Sequence, residues 1–302
     1  MRVIAIVGVV AAAVAVVAVI YRYFPDVAEW AILQQRVFQN ALAQGVHGLR
    51  AGEPGAWLSL LGAAGAYGFV HAVGPGHGKY LIGGVGLGQR VSAERLLGIA
   101  LASSLAQAAW AIILVYGGFY LLELSAHTLT TLADTYLASA SYLAIGAIGG
   151  ALVWRGIREF RISSFVSTHS DSHGHTHSDE CGCHAHGPSP EAVASLTSVR
   201  DAIVLILSIA IRPCTGAIFL LVIAWQLDIL WAGAAAVITM GVGTGMLTSV
   251  VAISSVFARG LAVASTGRMG MMAQAFPTLQ ILSGLLIIWF SALLFNVDLS
   301  MS

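Results

Sequence analysis

Long apolar stretches separated by short polar joints run along most of this chain. A helix needs about 20 predominantly apolar residues to cross a bilayer, and windows of that kind fall near 3–21, 57–74, 93–122, 136–156, 199–226, 229–257 and 278–296. They predict an all-α polytopic membrane protein with about seven transmembrane helices. The segment from His77 to Gln89 is apolar and rich in glycine but too short to span. It reads as a half helix or re-entrant piece, which would raise the count to eight. After the first stretch, residues 22–55 intersperse Arg22, Asp26, Glu29, Arg36, Arg50 and Glu53 with Ile32, Leu33 and Val37. That pattern fits an amphipathic helix on the membrane surface or a small extramembrane cap. Arg2 ahead of an apolar run with Ala-Val-Ala at 13–15 also fits a cleaved export signal.

Composition removes the soluble alternatives. Hydrophobic residues make up 58% of the chain, charged residues 9%, and the mean hydropathy is +0.85, outside the range of soluble globular domains. The net charge of zero gives no hint of nucleic-acid binding, but it conceals an asymmetry. With a cytoplasmic N-terminus, Arg2, Lys79, Arg90, Arg95, Arg155, Arg158, Arg161, Arg200, Arg259 and Arg268 all fall inside, and only Arg22, Arg36 and Arg50 fall outside. The positive-inside rule favours this orientation, with the polar loop at 161–198 also cytoplasmic. The lipid bilayer is then the principal surroundings of the chain; a homo-oligomer is compatible with this reading.

Two proline-glycine breaks suggest an internal repeat. Gly74-Pro75-Gly76-His77-Gly78 ends the second stretch and Pro213-Cys214-Thr215-Gly216 interrupts the fifth. Each is followed by a long stretch with small polar residues, Ser103, Ser104 and Gln107 in one, and Thr239, Thr244, Thr248 and Ser249 among glycines in the other. Three spans per half is odd, so the halves would be inverted, as in many transporters with a site at the midplane. The expected organisation is an anchor and amphipathic segment at 1–56, a first transport half at 57–160, a His-rich cytoplasmic loop at 161–198 and a second transport half at 199–302. The plainer alternative is that both prolines only kink their helices.

The candidate chemistry collects at these breaks. His71-Ala-Val-Gly-Pro-Gly-His77-Gly-Lys79 places two imidazoles and the chain's single lysine within an apolar stretch. Such groups at membrane depth are costly and mark substrate or ion pathways by default. A break frees His71 and His77 from helical spacing, so both can face one ion, and backbone carbonyls beside Gly74 and Gly76 become available as ligands. Lys79 at the inner edge can also snorkel. Cys214 is either an ordinary small buried thiol or a ligand facing the histidines, with Thr215 and Thr244 as oxygen donors nearby. Arg212 keeps its charge at any pH and needs a partner that the sequence does not name. Six of the ten histidines lie in the polar loop: His169, His173, His175, His177, His184 and His186, with Cys181 and Cys183 beside them. Alternating imidazoles on such a loop suit capture of divalent transition metals at low selectivity; a solvated linker is the alternative. The two loop cysteines enclose one residue and lack the spacing of a structural zinc site.

Together the run His71 to Lys79, the segment Pro213-Cys214-Thr215-Gly216-Ala217, Gly243-Thr244-Gly245 with Thr248, and the His-rich loop resemble the NicO-type nickel/cobalt transporters. The likeness spans about 57–296. It implies Ni2+ or Co2+ as transported substrate, no cofactor, an inner-membrane location and, most often, export. Members often carry a histidine in the span after the first motif, where this chain has Ser103, Ser104 and Gln107. No phosphate-binding glycine loop is present, so transport would be secondary, and exchange of metal for protons on imidazole makes proton antiport the expected coupling. Uptake of the same metals is one alternative. A membrane thiol-disulfide conductor is another, weakened because Gly76 stands where a second cysteine would be needed. An enzyme is not expected, since no serine, histidine and acid arrangement appears.

Overall fold

The computed structural model describes residues 2–73, 77–123, 125–168, 199–264 and 269–301. The triplet Gly74, Pro75 and Gly76 lies outside the described residues, as do His169, His173, His175, His177, Cys181, Cys183, His184 and His186 of the loop. The chain folds as helices α1 (Arg2–Arg50), α2 (Ala56–Val73), α3 (His77–Gly88), α4 (Ala93–Leu122), α5 (Ala126–Thr131), a π-helical stretch (Leu132–Leu137), α6 (Ala138–Thr168), α7 (Val199–Ala210), α8 (Thr215–Gln226), α9 (Leu230–Ala264) and α10 (Met269–Met301), with no strand among the described residues.

Five of these are long and apolar enough to cross a membrane: Ala56–Val73, Ala93–Leu122, Ala126–Arg161, Leu230–Ala264 and Phe276–Asn296. The α7–α8 pair, bent by 66° at its break, makes a sixth. These coincide with the second to seventh predicted spans, and the all-helical membrane architecture read from hydropathy stands. The N-terminal region differs in form. Instead of a span followed by a separate surface helix, one helix runs from Arg2 to Arg50, straight through Pro25. The polar run at its middle is compatible with helix, since Arg22 and Asp26 stand one turn apart at 3.8 Å. Further on, Ala31, Leu42 and Val46 are buried against neighbouring helices. The helix stops only where Gly52 and Gly55 adopt φ of 71° and 80°, a region glycine enters without steric penalty.

Two apolar layers stack along the helices. One joins Leu42 and Val46 of α1, Leu60 and Tyr67 of α2, Ala108, Ala111 and Val115 of α4, Ile218 and Leu221 of α8, and Ala236, Val237 and Met240 of α9. The other joins Leu81, Ile82 and Val85 of α3, Leu96, Ile99 and Ala100 of α4, Ile145 and Leu152 of α6, Leu205 and Ile209 of α7, Ala252 of α9 and Ile287 of α10. Helices α4 and α9 contribute to both layers. The broken pairs contribute one piece to each, α2 and α8 to the first and α3 and α7 to the second. Residues 103–107 of α4 and 241–248 of α9 therefore lie at the level between the layers.

Lipid supplies no hydrophobic drive for helix association, so close approach through small residues carries the packing. Between α2 and α9, a Cβ on Gly68 would run into the Met240 carbonyl and one on Gly243 into that of Gly65. Between α6 and α10, a Cβ on Gly284 would lie 2.7 Å from the Gly149 carbonyl. Arg259 of α9 ties the layers' rim, donating to the carbonyls of Gly86 (3.1 Å), Gln89 and Val91 (2.8 Å) at the end of α3. That satisfies carbonyls a helix C-terminus leaves open.

Gly68→Val is expected to force α2 from α9 and to destabilise the protein by about 1–3 kcal/mol, the usual cost of overpacking. Gly62→Ala, which has nothing within 4 Å of its new Cβ, should leave stability nearly unchanged. Thermal unfolding of the purified proteins in detergent checks both.

Candidate functional site

A cavity of about 80 Å3 opens between the two layers. Its walls are His71 and Ala72 from the last turn of α2, Gly78 and Lys79 from the first turn of α3, Ser103, Ser104 and Gln107 of α4, Ile209 of α7, and Thr244 and Thr248 of α9. No carboxylate is among the lining residues; the polar lining is imidazole, ammonium, hydroxyl and amide.

Each broken helix is held by side chains from elsewhere. At the first break, Lys79 donates across the gap to the Ala72 carbonyl. The Thr244 hydroxyl donates to the Gly68 carbonyl one turn earlier at 3.1 Å, shared with Met240 at the same distance. At the second break, Gln107 Nε2 donates to the Arg212 carbonyl at 2.6 Å. Cys214 then starts α8 in extended geometry, φ −71° and ψ 130°, its carbonyl accepting from the Ala217 and Ile218 amides at 3.0 and 3.1 Å. Its thiol makes no side-chain capping bond. The His71 imidazole and the Tyr67 hydroxyl of α2 lie near enough to act on it electrostatically, and the Gly216 and Ala217 amides of α8 bear on the sulfur too. Tyr67 and His71, one turn apart on α2, stack with ring centroids 5.7 Å apart and planes 10° from parallel.

Arg212 has a definite place. Its guanidinium donates to the Tyr142 hydroxyl of α6 and lies 5.2 Å from the centre of that ring. The partner needed by a permanently charged group at this depth is thus an aromatic hydroxyl 70 residues away in sequence. Tyr142 is in turn anchored, its carbonyl accepting from Ser291 of α10 at 2.5 Å.

The structure thus places His71, Thr244 and Lys79 on the cavity wall, sets Cys214 within electrostatic reach of His71 but off the lining, and leaves Thr215 exposed on the first turn of α8 and also off the lining. His77 is the first residue of α3, and its side chain lies outside the description. Pro213 and Gly216 are buried at the second break; a Cβ on Gly216 would collide with the Tyr67 ring. Among the described residues no group of three or more histidine, cysteine or acidic side chains is assembled. Cys214 is the single free cysteine there, without a disulfide partner. The sequence reading missed Tyr67, Gln35, Gln39 and Tyr142. Gln35 and Gln39, spaced one helical turn apart on an apolar helix, are the kind of signal that finds such residues, because buried amides need partners.

Two broken helices around a small polar cavity, within a bundle of long apolar helices, define a multi-pass membrane protein with an arrangement that recurs in transporters. Residues 57–190 match the family described as NicO, high-affinity nickel-transport protein. Over 254 residues, 80% of this chain and 77% of the relative, the sequence is 28% identical to a protein of Haemophilus influenzae (strain ATCC 51907 / DSM 11121 / KW20 / Rd) named "Putative nickel/cobalt efflux system". The run His71 to Lys79 lies within the stretch that resembles this family, whereas Pro213 to Ala217 and Gly243 to Gly245 lie beyond it. No solved structure matches the chain.

Tyr142→Phe keeps the ring but removes the hydroxyl that accepts from Arg212. Loss of a buried hydrogen bond to a charged group costs about 1.5–3 kcal/mol, so the variant should melt at lower temperature, and Arg212→Met with Tyr142→Phe should be less damaging than the sum of the two single changes. A thermal double-mutant cycle reads the coupling.

Proposed function

We propose that this protein is a secondary transporter that exports Ni2+ or Co2+ from the cytoplasm across the inner membrane. The observation that carries the reading is a polar cavity walled by the imidazole of His71 at one helix break, with the thiol of Cys214 at the other break within electrostatic reach of it. Nitrogen and sulfur donors with hydroxyl and carbonyl oxygens suit borderline divalent transition metals rather than Mg2+ or Ca2+. The family match and the named relative support the same metals.

In this reading the ion is held by His71, His77 and Cys214, with Thr244 and backbone carbonyls completing the shell and Thr215 joining as α8 moves. Lys79 and Arg212 act electrostatically on His71, and no carboxylate lines the cavity to offset them. A bound dication therefore needs an anionic ligand, and ionised Cys214 supplies one. Turning Lys79 to the Ala72 carbonyl and Arg212 to Tyr142 keeps both cations engaged elsewhere. Alternating access follows from movement of one half against the other about the breaks. Metal binds neutral imidazole and leaves protonated imidazole, so proton entry from outside releases the ion and couples export to the proton gradient. The N-terminus and the His-rich loop lie in the cytoplasm, where His169 to His186 collect metal without being needed for permeation.

In cells lacking their own exporters, the intact chain should lower nickel and cobalt content, and His71→Ala with His77→Ala should abolish the effect. Raised content would make the protein an uptake permease. No difference between the intact and altered chains would overturn the metal site. Cys214→Ala should reduce transport at least about tenfold if the thiolate is a ligand. In vesicles, an outward-directed metal flux that is the same at every imposed pH gradient would remove proton antiport.

A further inference from the structure

Helix α1 lies outside the stretch that matches the family, yet it reaches the site. Ala31, Leu42 and Val46 are buried, and with Gln35 and Gln39 they form one stripe at three- and four-residue spacing, a single face of the helix. The approach to α2 is tight, since a Cβ on Gly45 would stand 3.0 Å from the Leu60 Cα. That face presents both amides to the paired rings of α2. Gln39 Nε2 donates to the Tyr67 hydroxyl at 3.4 Å, and Gln35 Oε1 lies 3.3 Å from His71 Nδ1.

We propose that Gln35 is a positioning residue of the metal site, its amide oxygen taking the Nδ1 proton of His71 and thereby presenting the Nε2 lone pair to the ion. An amide oxygen only accepts, so the nitrogen facing it is the protonated one, and a neutral ring protonated at Nδ1 has its only lone pair on Nε2. Ligating histidines generally donate their other N–H to such a partner, which fixes both tautomer and ring direction. Here the ring plane is held a second time by the Tyr67 stack, and Tyr67 by Gln39. Two amides from one face of α1 thus orient the two rings that flank Cys214. An amide on that stripe with no partner would weaken α1 packing; its partner is the presumed ligand itself. The N-terminal helix is accordingly a working part of the site rather than an anchor.

The inference rests on the reading that His71 binds metal, and the test separates the two. Full-length protein in proteoliposomes is assayed for Co2+ transport as intact chain, His71→Ala, Gln35→Met and Gln35→Glu. Met keeps length and volume without an acceptor, whereas Glu restores one. Gln35→Met should raise the half-saturating Co2+ concentration by about 10–100-fold, the usual effect of losing such a partner, with little change in maximal rate; Gln35→Glu should stay near the intact value. Nitrogen-15 histidine spectra of the metal-free protein, with the His71 signal assigned by its loss in His71→Ala, should show Nδ1 protonated in the intact chain and a mixture of tautomers in Gln35→Met. If His71→Ala impairs transport but Gln35→Met does not, or Glu fails like Met with the tautomer unchanged, the proposal is overturned and the site stands. If His71→Ala leaves transport intact, the site reading falls first and the role of Gln35 with it.

Discussion

A helix interrupted inside a bilayer leaves backbone carbonyls that no water can satisfy, and each such group costs several kcal/mol unless protein supplies a donor. In this protein the requirement is met by named side chains, Lys79 on Ala72 and Gln107 on Arg212, while Thr244 adds a second donor to the Gly68 carbonyl inside α2. The polar residues scattered through α4 and α9 are thereby explained as much by the breaks as by any ion. They sit at the level between the two apolar layers because that is where α2 gives way to α3 and α7 to α8. The cavity is the space left when four helix ends stop short of one another and donors from α4 and α9 reach in to complete them.

The same donors limit which atoms remain for a ligand. Thr244 and Thr248 spend their hydroxyl protons on carbonyls of Gly68, Met240, Thr244 and Gly245, which leaves oxygen lone pairs facing inward. The Cys214 sulfur sits at the start of α8, acted on by His71 from α2 and by the Gly216 and Ala217 amides. Acceptor atoms therefore point at the cavity while donor hydrogens point at backbone, the polarity a cation requires. The two fixed cations nearby are turned away by the same logic, Lys79 by a carbonyl and Arg212 by the Tyr142 hydroxyl and ring.

Much of the architecture was legible in the sequence because the bilayer imposes one strong, local rule. The stretches 57–74, 93–122 and 229–257 correspond to α2, α4 and α9 within a few residues or, for α9, one further turn or two, and the break at Pro213 appears where its ring and missing N–H predict it. The breaks also drew attention to His71 and Cys214, which the fold places within electrostatic reach of each other. What the sequence hid were pairings across distance: Gln35 with His71, 36 residues apart, and Arg212 with Tyr142, 70 apart. No periodicity encodes such contacts, because they depend on which helix faces which. The N-terminal region read as an apolar stretch and an amphipathic segment, and the structure joins the two in one helix through Pro25, because one missing hydrogen bond does not stop a helix whose next turns bury Ala31, Leu42 and Val46.

The donors at the two breaks are exchanged between distant parts of the chain. Thr244 of α9 ties α2 to α9, and Gln107 of α4 completes the α7–α8 break. During synthesis α2 enters the bilayer some 170 residues before its partner exists, since the Thr244 to Gly68 bond spans 176 positions. The early helices therefore wait in the membrane without this tie between α2 and α9. The cavity wall is incomplete until the last third of the protein has arrived, because Thr244 and Thr248 belong to it.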